Sequence, residues 1–131
     1  MNELVSIVIV SHSEKVATGI KEMIEQIADK IIVETAGGTD IGEVGTSLEK
    51  INEAIERALS PKGTLIFYDM GSAKMNVQFA LETSNFKRVE IVDAPLVEGA
   101  YLAAVKASIG KSAMEIKQKL HEFFPEFFQN V

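Results

Sequence analysis

Residues 4–10 read Leu-Val-Ser-Ile-Val-Ile-Val, a β-branched run broken only by Ser6. A segment that is apolar at nearly every position, rather than at alternate ones, predicts a central parallel strand covered on both faces. After Ser11-His12-Ser13 the period changes: Val16, Ile20, Met23, Ile24 and Ile27 recur at spacings of three and four, which predicts an amphipathic helix starting near residue 13. A second strand is predicted at residues 31–34, followed by a permissive loop over 35–46 holding Gly37, Gly38, Gly42 and Gly45. Leu48, Ile51, Ile55, Ala58 and Leu59 mark a second helix, Ser60-Pro61-Lys62-Gly63 a stop and turn, and residues 64–68 a third strand.

A weaker helical pattern runs through Met75, Phe79 and Ala80, and residues 89–92 read as a fourth strand. Ala94-Pro95 breaks the chain before a helix marked by Val97, Tyr101, Ala104, Val105 and Ile109, with Gly110 placed as its C-terminal glycine. Ile116, Leu120, Phe123 and Phe124 carry a last helix to Pro125. Alternating strands and helices predict an α/β, doubly wound, mainly parallel sheet of four strands in the order 2-1-3-4, with room for an extra edge strand and helices on both faces. At 131 residues the expected organisation is a single domain, 1–131.

Composition narrows the chemistry. There is no Cys, which excludes a thiol nucleophile and cysteine-based zinc sites, and the two histidines, His12 and His121, are too few to argue for a metal centre. Thirteen Lys plus Arg against 19 Asp plus Glu leave a net charge of −6, so no positive field attracts nucleic acid, and free nucleotides are repelled at a distance. No apolar run approaches the roughly 18 residues of a membrane span, and Glu3 stands where a signal peptide would be basic, so the expected compartment is the cytoplasm.

In open α/β sheets ligands bind beyond the carboxyl ends of the strands. Two such ends carry chemistry. Ser11-His12-Ser13 puts an imidazole at the start of the first helix, beside free N–H groups and the positive end of a helix dipole. Tyr68-Asp69-Met70-Gly71-Ser72 puts a carboxylate and a Gly-Ser turn after the third strand, so His12 and Asp69 meet if strands 1 and 3 are neighbours. A histidine with one nitrogen held by a carboxylate offers the other as a nucleophile, which suits phosphohistidine chemistry; a histidine or aspartate at such a place also serves simply as a cap. The glycine loop lacks both the Lys-Ser/Thr ending of a P-loop and the dinucleotide spacing, though it can cover the strand ends and lend N–H groups to a phosphate. Lys74 is a possible phosphate partner or a solvated surface lysine. Phe123, Phe124, Phe127 and Phe128 are expected to pack in the core or against a second protein.

Four blocks in chain order now stand together: Ile7-Val8-Ile9-Val10-Ser11-His12-Ser13, the glycine segment 35–47, Phe67-Tyr68-Asp69-Met70-Gly71-Ser72-Ala73-Lys74-Met75-Asn76, and Ala94-Pro95-Leu96-Val97-Glu98-Gly99-Ala100. With these the chain resembles the phosphocarrier subunits of phosphoenolpyruvate-dependent dihydroxyacetone kinases, relatives of the mannose-type IIA domains of the sugar phosphotransferase system. The resemblance implies that His12 is phosphorylated and oriented by Asp69, with Ser13, Gly38, Thr39, Gly71 and Ser72 lining the phosphate site and neither metal nor cofactor required. It implies a general phosphocarrier protein as donor, an ADP-binding kinase subunit as acceptor, and a homodimer. Sugar-transporting members carry Thr-His-Gly and Trp-Gly-Gly-Ser-Pro where this chain has Ser11-His12-Ser13 and Met70-Gly71-Ser72-Ala73, which favours the dihydroxyacetone branch. Some members append further phosphocarrier domains; here the phosphate is expected to arrive in trans. The alternatives are a mannose-type IIA component of a sugar transporter and a receiver-like signalling domain phosphorylated on Asp69.

Overall fold

The computed structural model describes residues 3–128. In chain order it comprises β1 (Ser6–Ser11), α1 (Glu14–Ile27), β2 (Val33–Gly37), α2 (Leu48–Ala58), β3 (Thr64–Tyr68), α3 (Gly71–Thr83), β4 (Val89–Ile91), α4 (Leu96–Ser108) and α5 (Ala113–Phe123), then a 3-10 turn, Pro125–Phe127. The four strands are parallel and ordered β2-β1-β3-β4, as the alternation of elements predicts. No fifth strand occurs among the described residues.

Successive residues of a strand face opposite sides of the sheet, and here the two sides feed two cores. Ile7 and Ile9 of β1 with Leu65 and Phe67 of β3 pack against Ile20, Ile24, Ala100, Ala104 and Leu120 from α1, α4 and α5. Val8, Val10 and Ile66 pack against Ile51, Ile55 and Val77 from α2 and α3. Ser6, which interrupts the apolar run of β1, is buried and shares a 2.8 Å hydrogen bond with Thr64 on β3, so its hydroxyl is satisfied.

Three expectations change. The second strand lies at Val33–Gly37 instead of 31–34, because its pairing with β1 runs from Ile7↔Val33 to Ser11↔Gly37; Ile31 fills the core from the preceding turn. In α3 the core face is Ala73, Val77 and Ala80, whereas Met75 and Phe79 point outward. In α4 it is Gly99, Ala100, Ala103, Ala104 and Ala107, with Val97, Tyr101 and Ile109 outward. Small residues let both helices lie close to the sheet, so the large apolar side chains that drew attention in the sequence fall on the outer faces. The phenylalanine cluster divides likewise: Phe124 and Phe128 pack on the α1/α4/α5 core, but Phe123 and Phe127 are exposed within this chain.

Candidate active site

The register of the sheet aligns the first residues beyond three strands. Ser11 pairs with Gly37 and Val10 with Tyr68, so His12, Gly38 and Asp69 emerge side by side at the carboxyl edge. Gly37 is required there. A Cβ at that position would lie 2.6 Å from Glu14 Cα and 2.9 Å from the Ser13 carbonyl, so only glycine lets β2 run this close to the start of α1. Gly38 follows with φ +73°, a conformation that bends the chain over the site and donates its N–H to the Ser11 carbonyl.

Asp69 accepts three hydrogen bonds. Oδ1 takes one from His12 Nδ1 at 2.9 Å; Oδ2 takes one from the His12 backbone N–H at 2.8 Å and one from the Ser11 hydroxyl at 3.0 Å. The side chains of His12 and Asp69 are only 17% and 19% exposed. Burial raises the carboxyl pKa, but the bonds from the His12 backbone, the His12 ring and Ser11, with the charge of His12, outweigh it and hold Asp69 below its ordinary value. Asp69 therefore remains an anion that can only accept. In the neutral imidazole this fixes the proton on Nδ1 and leaves a lone pair on Nε2.

Nε2 lies 2.8 Å from the Ser72 hydroxyl, in the first turn of α3. That helix begins without a capping side chain, because Met70 occupies its N-cap, so the N–H groups of Gly71 and Ser72 are left for an incoming group. Nε2 thus faces the positive end of a helix dipole and a rotatable hydroxyl. Ser13 caps α1: its Oγ accepts from the Val16 N–H at 3.2 Å and its own N–H bonds Ser11 Oγ, leaving its hydroxyl proton to donate. Gly38 and Thr39 stand beside the site, with their N–H groups engaged by the Ser11 and Glu43 carbonyls. Lys74, two residues beyond Ser72, is 2.9 Å from Asp93 and 5.8 Å from the centre of the Tyr68 ring. Tyr68 also donates to Asp93; burial, this bond and the Asp93 charge push the phenol pKa well above its usual value, so it stays a donor.

Two residues escaped the sequence reading. Ser11 donates to Oδ2 of Asp69, and the one signal for it was a polar residue following the apolar run Ile7–Val10 at the end of a buried strand. Lys50, near the start of α2, donates to the carbonyls of Gly37 at 2.8 Å and Thr39 at 3.2 Å and fastens the glycine loop from behind; no sequence pattern marks it. His121 stacks on Phe128 with ring centroids 4.3 Å apart, within the C-terminal aromatic cluster.

The chain is 38% identical over 120 residues to the phosphotransferase subunit DhaM of the PTS-dependent dihydroxyacetone kinase of Lactococcus lactis, covering 92% of this chain and 96% of that one. It is 40% identical over 114 residues to the phosphoryl donor subunit DhaM of a PEP-dependent dihydroxyacetone kinase of Listeria innocua, covering 87% and 90%. Among solved structures, a protein of unknown function, EF1359, superposes with a TM-score of 0.80 at 38% identity over 88% of this chain and 92% of its own. Residues 6–117 match the EIIA-man family model, described as the PTS system fructose IIA component, and with nearly the whole fold inside that match the chain belongs to the EIIA-man family.

Proposed function

We propose that this chain is a single-domain phosphohistidine carrier, the phosphoryl donor subunit of a phosphoenolpyruvate-dependent dihydroxyacetone kinase. His12 Nε2 accepts the group from the phosphohistidine of the general phosphocarrier protein and passes it to ADP held on a nucleotide-binding kinase subunit, in the cytoplasm. The observation that carries this reading is the His12 ring itself, fixed at Nδ1 by Asp69 and facing at Nε2 the Ser72 hydroxyl and the free N–H groups of Gly71 and Ser72 at the start of α3. The names borne by the L. lactis and L. innocua relatives support the dihydroxyacetone branch.

In the forward step the donor's N–P bond breaks and the Nε2 lone pair forms the new one. The ring becomes a cation that Asp69 stabilises at Nδ1, while the donor imidazole regains its lone pair. The Ser72 hydroxyl turns from Nε2 to a phosphoryl oxygen, joined by the Gly71 and Ser72 N–H groups, so that developing charge meets donors already in place. Gly38, Thr39 and Ser13 wall the same space. Because neither donor nor acceptor delivers free nucleotide to this site, the acidic surface is no obstacle. Asp69 is a poor phosphate acceptor in this setting, since three donors occupy both of its oxygens.

The family model's own description favours a second reading, a IIA component that feeds a sugar transporter. The two separate in one experiment. The chain is charged with phosphoenolpyruvate, enzyme I and the carrier protein, then offered either the ADP-loaded kinase subunit or a transporter IIB protein. Phosphate leaving to ADP supports the kinase reading, and phosphate leaving only to the IIB protein replaces it.

A further inference from the structure

We propose that the loop of residues 38–46 is the docking anchor for the phosphohistidine-bearing donor protein, with Ile41 and Val44 as its apolar contacts. The proposal rests on His12 being the phosphoryl acceptor. Ile41 is 79% and Val44 81% exposed, both on a nine-residue loop that borders the nucleophile. The loop is not a floppy one. Thr39 accepts from the Gly42 N–H and donates its own N–H to the Glu43 carbonyl, and the Glu43 N–H returns to Thr39 Oγ1. Ser47 bonds Asp40, Lys50 clamps two carbonyls from behind, and the Gly45 N–H bonds the His12 carbonyl at 2.9 Å.

Two aliphatic side chains are therefore held out into water by a hydrogen-bonded scaffold fastened to the backbone of His12 itself. Covering them releases apolar surface from water, and a loop already ordered loses little further freedom on binding. Geometry makes the covering unavoidable. Because the His12 side chain is mostly enclosed, a phosphoryl group carried on another protein reaches Nε2 only if that protein presses against the residues bordering it. Met70, exposed between Asp69 and Gly71, lies on the β3 side of the same opening.

The charge around this opening selects the occupant. In residues 12–15 and 38–46 the exposed charges are Glu14, Asp40 and Glu43 against Lys15, and Lys74 beyond Ser72 is paired with Asp93, on a chain of net charge −6. A donor whose phosphohistidine sits among basic residues with an apolar neighbour matches both features, and complementary charge of this kind speeds encounter and rejects acidic proteins.

The test replaces both residues, I41S together with V44S, changes that leave the core untouched because both side chains are exposed. Phosphorylation of His12 is timed with increasing concentrations of phosphorylated carrier protein, and separately with phosphoramidate, a small donor that needs no docking. The expected result is a KM for the carrier protein raised about tenfold or more, as for loss of interface anchors, with kcat and the phosphoramidate rate within about twofold of the parent. An unchanged KM overturns the proposal. An equal loss with phosphoramidate also overturns it, since the loop then shapes the site instead of receiving a partner. If the parent chain accepts phosphate on His12 from neither donor, the carrier reading itself fails and takes the docking proposal with it.

Discussion

Replacing Asp69 by Asn changes one atom of the carboxylate, yet it should be more damaging than removing the whole side chain. Asp69 accepts from three donors, His12 Nδ1, the His12 backbone N–H and the Ser11 hydroxyl. An asparagine has one oxygen. If that oxygen faces Nδ1, the amide NH₂ opposes the His12 backbone N–H, that bond is lost, and the Ser11 hydroxyl must turn from donor to acceptor. If it turns over, its oxygen keeps the backbone N–H and Ser11, and the NH₂ donates to Nδ1. The second arrangement retains every bond and so wins, but it moves the imidazole proton to Nε2, where the nucleophilic lone pair should be. Where an Asp-to-Asn change forces the wrong histidine tautomer in this way, turnover falls about 10,000-fold. Asp69→Ala leaves Nδ1 to water, so the reactive tautomer persists with its orientation loosened, a loss near the lower end of the roughly 100-fold to 10,000-fold range for such groups. The variants are compared by single-turnover phosphorylation from the carrier protein, with ¹⁵N chemical shifts of His12 reporting the tautomer and thermal unfolding confirming the fold. Asp69→Asn transferring within about tenfold of the parent, or faster than Asp69→Ala, would mean that Asp69 does not set the His12 tautomer.

The depressed Asp69 pKa also makes a statement about pH. The unfolded carboxyl protonates near its ordinary value of about 3.9 and the folded one lower, so its stabilisation is present above about pH 4 and is lost as pH falls through the folded pKa; urea unfolding of the parent and Asp69→Asn should differ more at pH 6 than at pH 3. Gly37→Ala should destabilise by about 1–3 kcal/mol in the same assay, since its methyl would meet the backbone of Glu14 and Ser13, which cannot yield as a side-chain tip can. It should also slow phosphorylation, because those residues adjoin His12. His121→Gln should lose the stack on Phe128 and roughly 0.5–1.5 kcal/mol of stability, yet accept phosphate at the parental rate.

The strands and their order were legible because β1 and β3 are buried on both faces and are apolar at successive positions, Ile7–Val10 and Leu65–Phe67, and because right-handed crossovers leave few orders for such a chain. The meeting of His12 and Asp69 follows from the adjacency of β1 and β3 alone. The helices were harder. Reading the largest side chains as the buried ones fails for α3 and α4, where alanine and glycine face the sheet, because close approach of a helix is a matter of backbone distance that no hydropathy pattern records. Ser11 and Lys50 illustrate the other limit. Each acts on a partner whose position depends on the finished fold: Asp69 is 58 residues from Ser11, and Lys50 reaches carbonyls of a loop bent by Gly38.

Everything proposed for this chain depends on phosphate being carried on Nε2 of His12. The position of that phosphate is read by charging ¹⁵N-histidine-labelled protein from phosphoenolpyruvate, enzyme I and the carrier protein, and recording phosphorus–nitrogen NMR correlations alongside the His12→Gln variant. One phosphoramidate is expected, coupled to Nε2 of His12, resistant to hydroxylamine and absent from the variant. A phosphate coupled to Nδ1, one that persists in His12→Gln, or a hydroxylamine-labile acyl phosphate on Asp69 would contradict it.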